Sequence, residues 1–196
     1  MKQSNKVARL AILTLLLVPL CAAAWNRSPA TTFAVLPEGA TNPEGITVGP
    51  DGNVYVGTFA VGGTSSNLGE VFVFRPSGQL VRKIEIADSS TLLLEVAFHP
   101  TTGDFLVIDF GSKQVLNVDP TTGSSVVFST IPGGASAGPN VMTFDSSGNV
   151  YISDSFQGIV WRTGPTGGDP DEWVNNELLR TAGVPPFGAN GLAFNK

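Results

Sequence analysis

The chain repeats one short pattern four times, and this repetition limits its possible folds more than any other feature. The copies begin at Glu44 (EGITV), Leu94 (LEVAF), Asn140 (NVMTF) and Asn190 (NGLAF), spaced by about 50 residues. The first three copies continue through a glycine turn into a second apolar run, in the segments PDGNVYVGT, HPTTGDFLVID and DSSGNVYISD. A period of this length, built from short strands and glycine turns, is typical of a β-propeller blade.

Each full copy alternates apolar and polar residues with period two, as half-buried strands do. Strand-like runs lie at 46–48, 54–56, 71–74 and 80–86 in the first copy and recur in the second. In the third copy, the segment 164–180 is expected to be irregular, with a solvated acidic loop at 169–172. A further short strand is expected at 32–36. The sequence therefore predicts an all-β protein: a β-propeller of four-stranded antiparallel blades, incomplete, with about three blades plus the start of a fourth.

The first 24 residues have the order of a secretory signal peptide. Lys2, Lys6 and Arg9 precede an apolar stretch at 10–20, and three alanines end at Ala24. We expect cleavage after Ala24, which leaves 25–196 as the partial propeller domain. The alternatives are a membrane anchor, for which the stretch is short, and a lipoprotein site at Cys21. The protein is thus expected to be exported, periplasmic or extracellular, with no stable membrane span after cleavage.

The net charge limits the possible partners of the chain, and the cysteine content limits its possible disulfides. The formal net charge is −5 at pH 7, and only 14% of residues are charged. Because an acidic surface repels phosphate backbones, we expect no nucleic-acid partner. The chain has a single cysteine, Cys21, within the predicted leader. The mature chain would then contain no disulfide and would depend on packing for its stability.

Oxygen-bearing side chains occupy the same place in three copies of the pattern, namely Glu44, Asn140 and Asn190. Blades are related by rotation about one axis, so equivalent residues at their inner ends converge on that axis. A carboxylate with amide carbonyls suits a hard divalent cation without much like-charge repulsion. The competing interpretation is that Glu and Asn are ordinary turn residues here. Leu94, at the same place in the second copy, offers no donor.

The chain resembles the family of senescence marker protein, gluconolactonase and luciferin-regenerating enzyme, which are six-bladed propellers. The matching text is NPEGITVGPDGNVYVGT, LLEVAFHPTTGDFLVIDFGSKQVLNVDPTTG, PNVMTFDSSGNVYISD and ANGLAFN. The resemblance implies an axial Ca²⁺, or another divalent cation, held by Glu44, Asn140 and Asn190. It also implies a further aspartate, ligand and base, one repeat beyond Asn190. That residue would fall after Lys196, so we expect the chain to be cut short and its catalytic residue to be missing.

The resemblance implies a metal-dependent hydrolase of the gluconolactonase type, which opens a lactone or ester ring at the axial Ca²⁺. With an incomplete site, this chain is expected to bind calcium poorly and not to hydrolyse lactones. A second hypothesis is a non-catalytic propeller, like NHL-repeat modules, that binds a protein or glycan. A third is a synthase-type propeller of the strictosidine synthase kind. Because an incomplete ring leaves blade edges uncovered, self-association through these edges is also expected.

Several other polar and aromatic residues have both a structural and a functional interpretation. Asp109 and Asp154 end the second strand of their blades and either line the channel mouth or bond a loop backbone. Glu95 should face away from Leu94, because side chains alternate along a strand. His99, the only histidine, is expected in a turn. The two tryptophans after the third turn, Trp161 and Trp173, are expected to pack or to anchor loops.

Overall fold

The structure is a computed structural model that describes residues 29–181, 183–184 and 187–194. It contains three antiparallel sheets of four strands each. In every sheet the strands pair in chain order. The first sheet contains β1 (Pro43–Val48), β2 (Val54–Thr58), β3 (Gly69–Phe74) and β4 (Leu80–Ile86). The second contains β5 (Leu93–Phe98), β6 (Phe105–Asp109), β7 (Gln114–Val118) and β8 (Ser125–Thr130). The third contains β9 (Pro139–Phe144), β10 (Val150–Asp154), β11 (Ile159–Gly164) and β12 (Gly167–Asn175).

The predicted all-β propeller with four-stranded antiparallel blades is confirmed, since each sheet is one blade. Two short 3₁₀ helices, Gly134–Ser136 and Glu177–Leu179, are the helical segments of the described residues. The predicted signal peptide, residues 1–24, lies outside the described residues. In the part of the chain that is described, no helix is both long and apolar enough to cross a membrane.

The core consists of side chains packed between neighbouring sheets. The middle sheet is covered on both faces, so its strand β6 is buried along its whole length. Leu106 and Ile108 pack toward the third sheet, while Phe105 and Val107 pack toward the first. Burying both faces requires apolar residues at every position, which explains why β6 reads FLVID rather than as a strict alternation.

Three sequence-based expectations about local structure differ from the structure. The segment expected to be irregular contains the nine-residue strand β12, and the acidic run at 169–172 lies within it. β12 is an outermost strand, where Pro170 is tolerated because one strand edge needs no hydrogen-bond donor. The expected strand at 32–36 is irregular in structure. So is the fourth copy of the pattern at 190–194, for which no strand among the described residues serves as a partner.

Glycines in equivalent hairpins let each sheet approach the outer strand of the sheet before it. Gly123 and Gly167 have φ of 79° and 81°, and a Cβ on either would collide with a carbonyl oxygen, of Glu85 and Phe128 respectively. Gly78 has the same relation to the carbonyl of Phe33. The segment at Phe33 therefore takes the place that an outer strand occupies before the other two sheets.

His99 connects the second and third sheets at the turn between β5 and β6. Its side chain is only 1% exposed, and its ring packs edge-to-face on Phe144 with centroids 5.0 Å apart. Nδ1 accepts hydrogen bonds from the backbone N–H groups of Thr101 and Thr102. With Nδ1 accepting, Nε2 carries the proton and donates it to the Gly148 carbonyl at 2.8 Å. His99 is thus a structural turn residue.

Candidate functional site

A β-bulge occurs at the same place in all three blades, where the first strand pairs with the second. Each bulge sets two residues of the first strand opposite one residue of the second strand. The pairs are Glu44–Gly45 opposite Gly57, Leu94–Glu95 opposite Ile108, and Asn140–Val141 opposite Ser153. A bulge bends its strand and changes the direction of the side chains it carries. The predicted ligand position is thus the first residue of the bulge in each blade.

The innermost strands bring the repeated position to one cavity of about 220 Å³. Its lining consists of Asn42, Glu44, Phe59, Leu94, Phe110, Asn140, Phe187 and Asn190. All three predicted ligands contribute to this lining, together with the apolar residue of the second copy. Asn140 is buried, whereas Glu44 and Asn190 are exposed to solvent. The structure places the three oxygen donors around a common space, and their role as calcium ligands stays a prediction.

Strands β1 and β5 approach closely beside the cavity because residue 45 is glycine. A Cβ on Gly45 would collide with the carbonyl oxygen of Leu94 and would lie 2.7 Å from the backbone nitrogen of Val96. These neighbours are backbone atoms, which cannot rotate away as a side chain can. The absence of a side chain at Gly45 therefore sets the separation between the strand that carries Glu44 and the strand that carries Leu94.

Glu95 adds a second carboxyl group near Glu44 without lining the cavity. It is the second residue of its bulge and is partly buried. The pKa of Glu95 is raised to about 7, mainly by burial and also by the nearby charge of Glu44, against a backbone hydrogen bond from Val96 that lowers it. The negative charge of these two carboxyl groups favours a cation in their vicinity.

Replacing Glu95 with glutamine is expected to stabilise the protein at alkaline pH. The folded-state pKa is raised above the ordinary value of 4.5, so the charged carboxylate destabilises the folded state. In chelator, the variant should gain about 1–2 kcal/mol in unfolding free energy at pH 8, allowing for partial exposure. The gain should shrink as pH falls from about 7 and vanish below 4.5. Urea unfolding at four pH values measures it, and a pH-independent difference would contradict it.

Asp109 and Asp154 hold loops and contribute no surface to the cavity. Both are 0% exposed. Asp154 accepts hydrogen bonds from the backbone N–H groups of Gly138, Phe156 and Gln157, at 2.9–3.0 Å. Asp109 accepts from the N–H and hydroxyl groups of serines on both adjoining loops. These aspartates therefore fix the loops that follow β6 and β10.

The two tryptophans have structural surroundings. Trp161 is buried, and its Nε1–H donates to Asp154 Oδ2 at 3.3 Å. Trp173 is 47% exposed on the outermost strand β12 and packs edge-to-face on Tyr151, with centroids 4.8 Å apart. Neither residue lines the cavity.

The cavity offers the donors that a hard cation prefers. Its oxygen donors are one carboxylate, on Glu44, and the side-chain amides of Asn42, Asn140 and Asn190. Calcium accepts both kinds of oxygen and completes its shell of six to eight ligands with further oxygens or water. Within the described residues there is no group of three or more His, Cys, Asp or Glu side chains arranged for a metal. The donor chemistry of the cavity thus fits calcium rather than a softer metal.

Sequence reasoning missed four residues of the cavity, namely Asn42, Phe59, Phe110 and Phe187. Two of them carried a signal that was available. Phe59 directly follows the last residue of β2, and Phe110 directly follows the last residue of β6. In each blade the end of the second strand lies beside the start of the first strand, so both residues lie at the cavity. Asn42 and Phe187 lie outside the strands and follow no repeated position.

Comparison with known proteins supports the fold. A family model described as the N-terminal part of strictosidine synthase-like proteins matches residues 30–59, which include Glu44. A search of curated protein sequences finds no match. Virginiamycin B lyase from Staphylococcus aureus has a similar structure, with 17% identity, a TM-score of 0.59, and coverage of 77% of this chain and 49% of the lyase.

Two further neighbours belong to the family that the sequence resembles. A proposed gluconolactonase has 20% identity and a TM-score of 0.55 over 70% of this chain and 49% of its own. A luciferin-regenerating enzyme has 17% identity and a TM-score of 0.51 over 66% and 45%. The resemblance to this family is thus confirmed at the level of the propeller fold. The chain spans about half the length of each neighbour.

Proposed function

We propose that this chain carries the metal-binding part of a calcium-dependent hydrolase of the gluconolactonase type, which opens lactones or esters. The observation that supports this most is the convergence of Glu44, Asn140 and Asn190, from separate copies of the pattern, on one cavity. When bound, calcium supplies Lewis-acid polarisation of an ester carbonyl. No described residue is assigned as the catalytic base.

The side chains around the cavity have different roles in binding an ion. Glu44 provides the negative charge, and the amide oxygens of Asn140 and Asn190 provide neutral donors from two other directions. Leu94 closes the remaining side with an apolar surface and is itself only 6% exposed. An ion held this way keeps open positions for water or for a substrate oxygen, because three residues do not fill its shell.

Replacing Glu44 with glutamine should weaken calcium binding about tenfold or more, because the variant loses the carboxylate of the donor set. Calcium titration followed by tryptophan fluorescence or by amide NMR measures the dissociation constant. Glu177→Gln is the matched control, since Glu177 is an exposed carboxylate on the 3₁₀ helix Glu177–Leu179. Its affinity for calcium should equal that of the wild type.

The same titration also distinguishes the hydrolase hypothesis from the hypothesis of a non-catalytic binding propeller. A non-catalytic propeller that binds a protein or glycan does not depend on calcium at Glu44, so Glu44→Gln would behave like the wild type. Equal calcium affinities of wild type, Glu44→Gln and Glu177→Gln would refute the proposal. The proposed partners are a small lactone or ester and a second chain at the open blade edges, in an exported protein.

A further inference from the structure

The side chains that line the cavity are of two chemically different kinds, named here the polar wall and the apolar wall. The polar wall consists of Asn42, Glu44, Asn140 and Asn190, and the apolar wall consists of Phe59, Leu94, Phe110 and Phe187. A site that bound only an ion would need the first wall alone. The second wall presents aromatic rings to whatever molecule occupies the rest of the space.

Four phenylalanines form a continuous row along the apolar wall and beyond it. Phe59 packs edge-to-face on Phe110 with centroids 5.6 Å apart, and Phe110 packs edge-to-face on Phe156 at 5.7 Å. Phe156 in turn stacks on Phe187 at 5.9 Å, with an angle of 27° between the rings. All three separations lie in the range of favourable aromatic pairs. Phe110 and Phe156 each contact the rings on both sides, and of these two only Phe110 lines the cavity.

Lys113 and the buried aspartates hold the row in place. The Lys113 ammonium lies 3.8 Å from the centroid of Phe110, a cation–π contact. Asp109, the residue before Phe110, and Asp154, two residues before Phe156, fix the two loops by accepting hydrogen bonds from backbone N–H groups. Phe110 and Phe156 are therefore positioned before any ligand binds, which lowers the entropy cost of binding.

The volume of the cavity is sufficient for a compact ring, and the cavity is open to solvent at Glu44 and Asn190. An apolar cavity of about 150 Å³ is sufficient for a benzene molecule. A space of about 220 Å³ therefore accommodates one ring together with an ester group. A ligand with several hydroxyl groups would lose hydration against the phenylalanine wall and would find no donor or acceptor there.

We propose that the phenylalanine wall selects lactones or esters that carry a compact apolar ring, in preference to polyhydroxylated lactones. Phe110 is the residue that determines this preference. The proposal rests on the proposed function, since the ester group of such a ligand would lie toward Glu44 and the asparagines. The aromatic ring would lie against Phe59, Phe110 and Phe187.

Two ketones that cannot be hydrolysed test the proposal on the full chain. 2-Tetralone has a cyclohexanone ring fused to a benzene ring, and cyclohexanone lacks the benzene ring. Their dissociation constants are measured by NMR titration, once with calcium and once with EDTA. We expect 2-tetralone to bind about tenfold more tightly than cyclohexanone, because aromatic contacts and apolar burial favour the fused ring.

Variants of Phe110 and Phe187 test whether the apolar wall causes the preference for 2-tetralone over cyclohexanone. Phe110→Asn should reduce the ratio of the two affinities to near one, whereas Phe110→Leu should retain part of it. Phe187→Asn is a second variant, which should leave folding intact because Phe187 is 43% exposed and lies outside the strands. Phe33→Leu is the matched control, because Phe33 is 46% exposed and packs on Phe74, away from the cavity. It should leave the ratio unchanged.

The outcomes for the ring preference and for the calcium site can be distinguished. Equal binding of the two ketones, or an unchanged ratio in both Phe110→Asn and Phe187→Asn, would overturn the proposed selectivity even if Glu44-dependent calcium binding is observed. A tenfold ratio that disappears in Phe187→Asn and in folded Phe110→Asn would support it, in calcium or in EDTA alike. The calcium titration of Glu44→Gln tests the metal site independently.

Discussion

Replacing Asp154 with alanine is expected to lower the free energy of unfolding by about 3–5 kcal/mol. Its Oδ1 accepts three backbone N–H groups, and its Oδ2 accepts the side-chain N–H groups of Gln157 and Trp161. Asp154 is 0% exposed, so water cannot readily replace the carboxylate. The variant would leave several buried donors without an acceptor, each at the cost of its desolvation.

Urea unfolding followed by circular dichroism measures this effect, with Asp145→Ala as the matched control. Asp145 also accepts two backbone N–H groups, from Ser147 and Asn149, but it is more exposed than Asp154. A hydrogen bond from the Asn149 side chain is the main cause that lowers the pKa of Asp145. Water can replace the carboxylate there, so the loss should be much smaller. Similar losses for the two variants would show that burial of Asp154 is not the reason.

Replacing Gly45 with alanine is expected to destabilise the protein by about 3 kcal/mol or more. The added methyl group would collide with the Leu94 carbonyl and would lie 2.9 Å from the Cα of Glu95. Because both contacts are with backbone, the strands β1 and β5 must move apart. That movement would carry Glu44 away from Asn140, so calcium affinity should fall together with stability.

Gly62→Ala is the control for the same chemical change at an open position. No heavy atom lies within 4 Å of the site where a Cβ would be added to Gly62. Its unfolding free energy should change by no more than about 0.5 kcal/mol, and its calcium affinity should not change. If Gly45→Ala is as stable as Gly62→Ala, the close approach of β1 and β5 does not determine their separation.

The repeat makes the three blades predictable from the sequence. Strand runs and turns recur in chain order, and local alternation is enough to define a four-stranded antiparallel sheet. Strand β12 was not predicted because its residues, GGDPDEWVN, do not alternate between apolar and polar. An outermost strand is exposed on both faces for much of its length, so few of its side chains have to be apolar. Pairing with β11, a contact that composition does not reveal, makes it a strand.

The candidate site was predictable only in part, for a related reason. Equivalent positions in a repeat reveal Glu44, Asn140 and Asn190 without any knowledge of distance. The bulges at Glu44 and Asn140 were not foreseen, because a bulge depends on the register between two strands. The aromatic wall was missed as well, although Phe59 and Phe110 each directly follow the second strand of a blade. Phe187 follows no repeat and joins the wall only through its position in space.

The amino-acid order alone established the blade period, the all-β class and the set of candidate oxygen donors. These properties follow from local alternation and turn chemistry, which neighbouring residues express without the rest of the molecule. The packing of sheet against sheet established the cavity, the burial of Asp154 and the closeness of Glu95 to Glu44. Such properties depend on backbone separation between residues far apart in the chain, and the side chain missing from Gly45 sets that separation at the site.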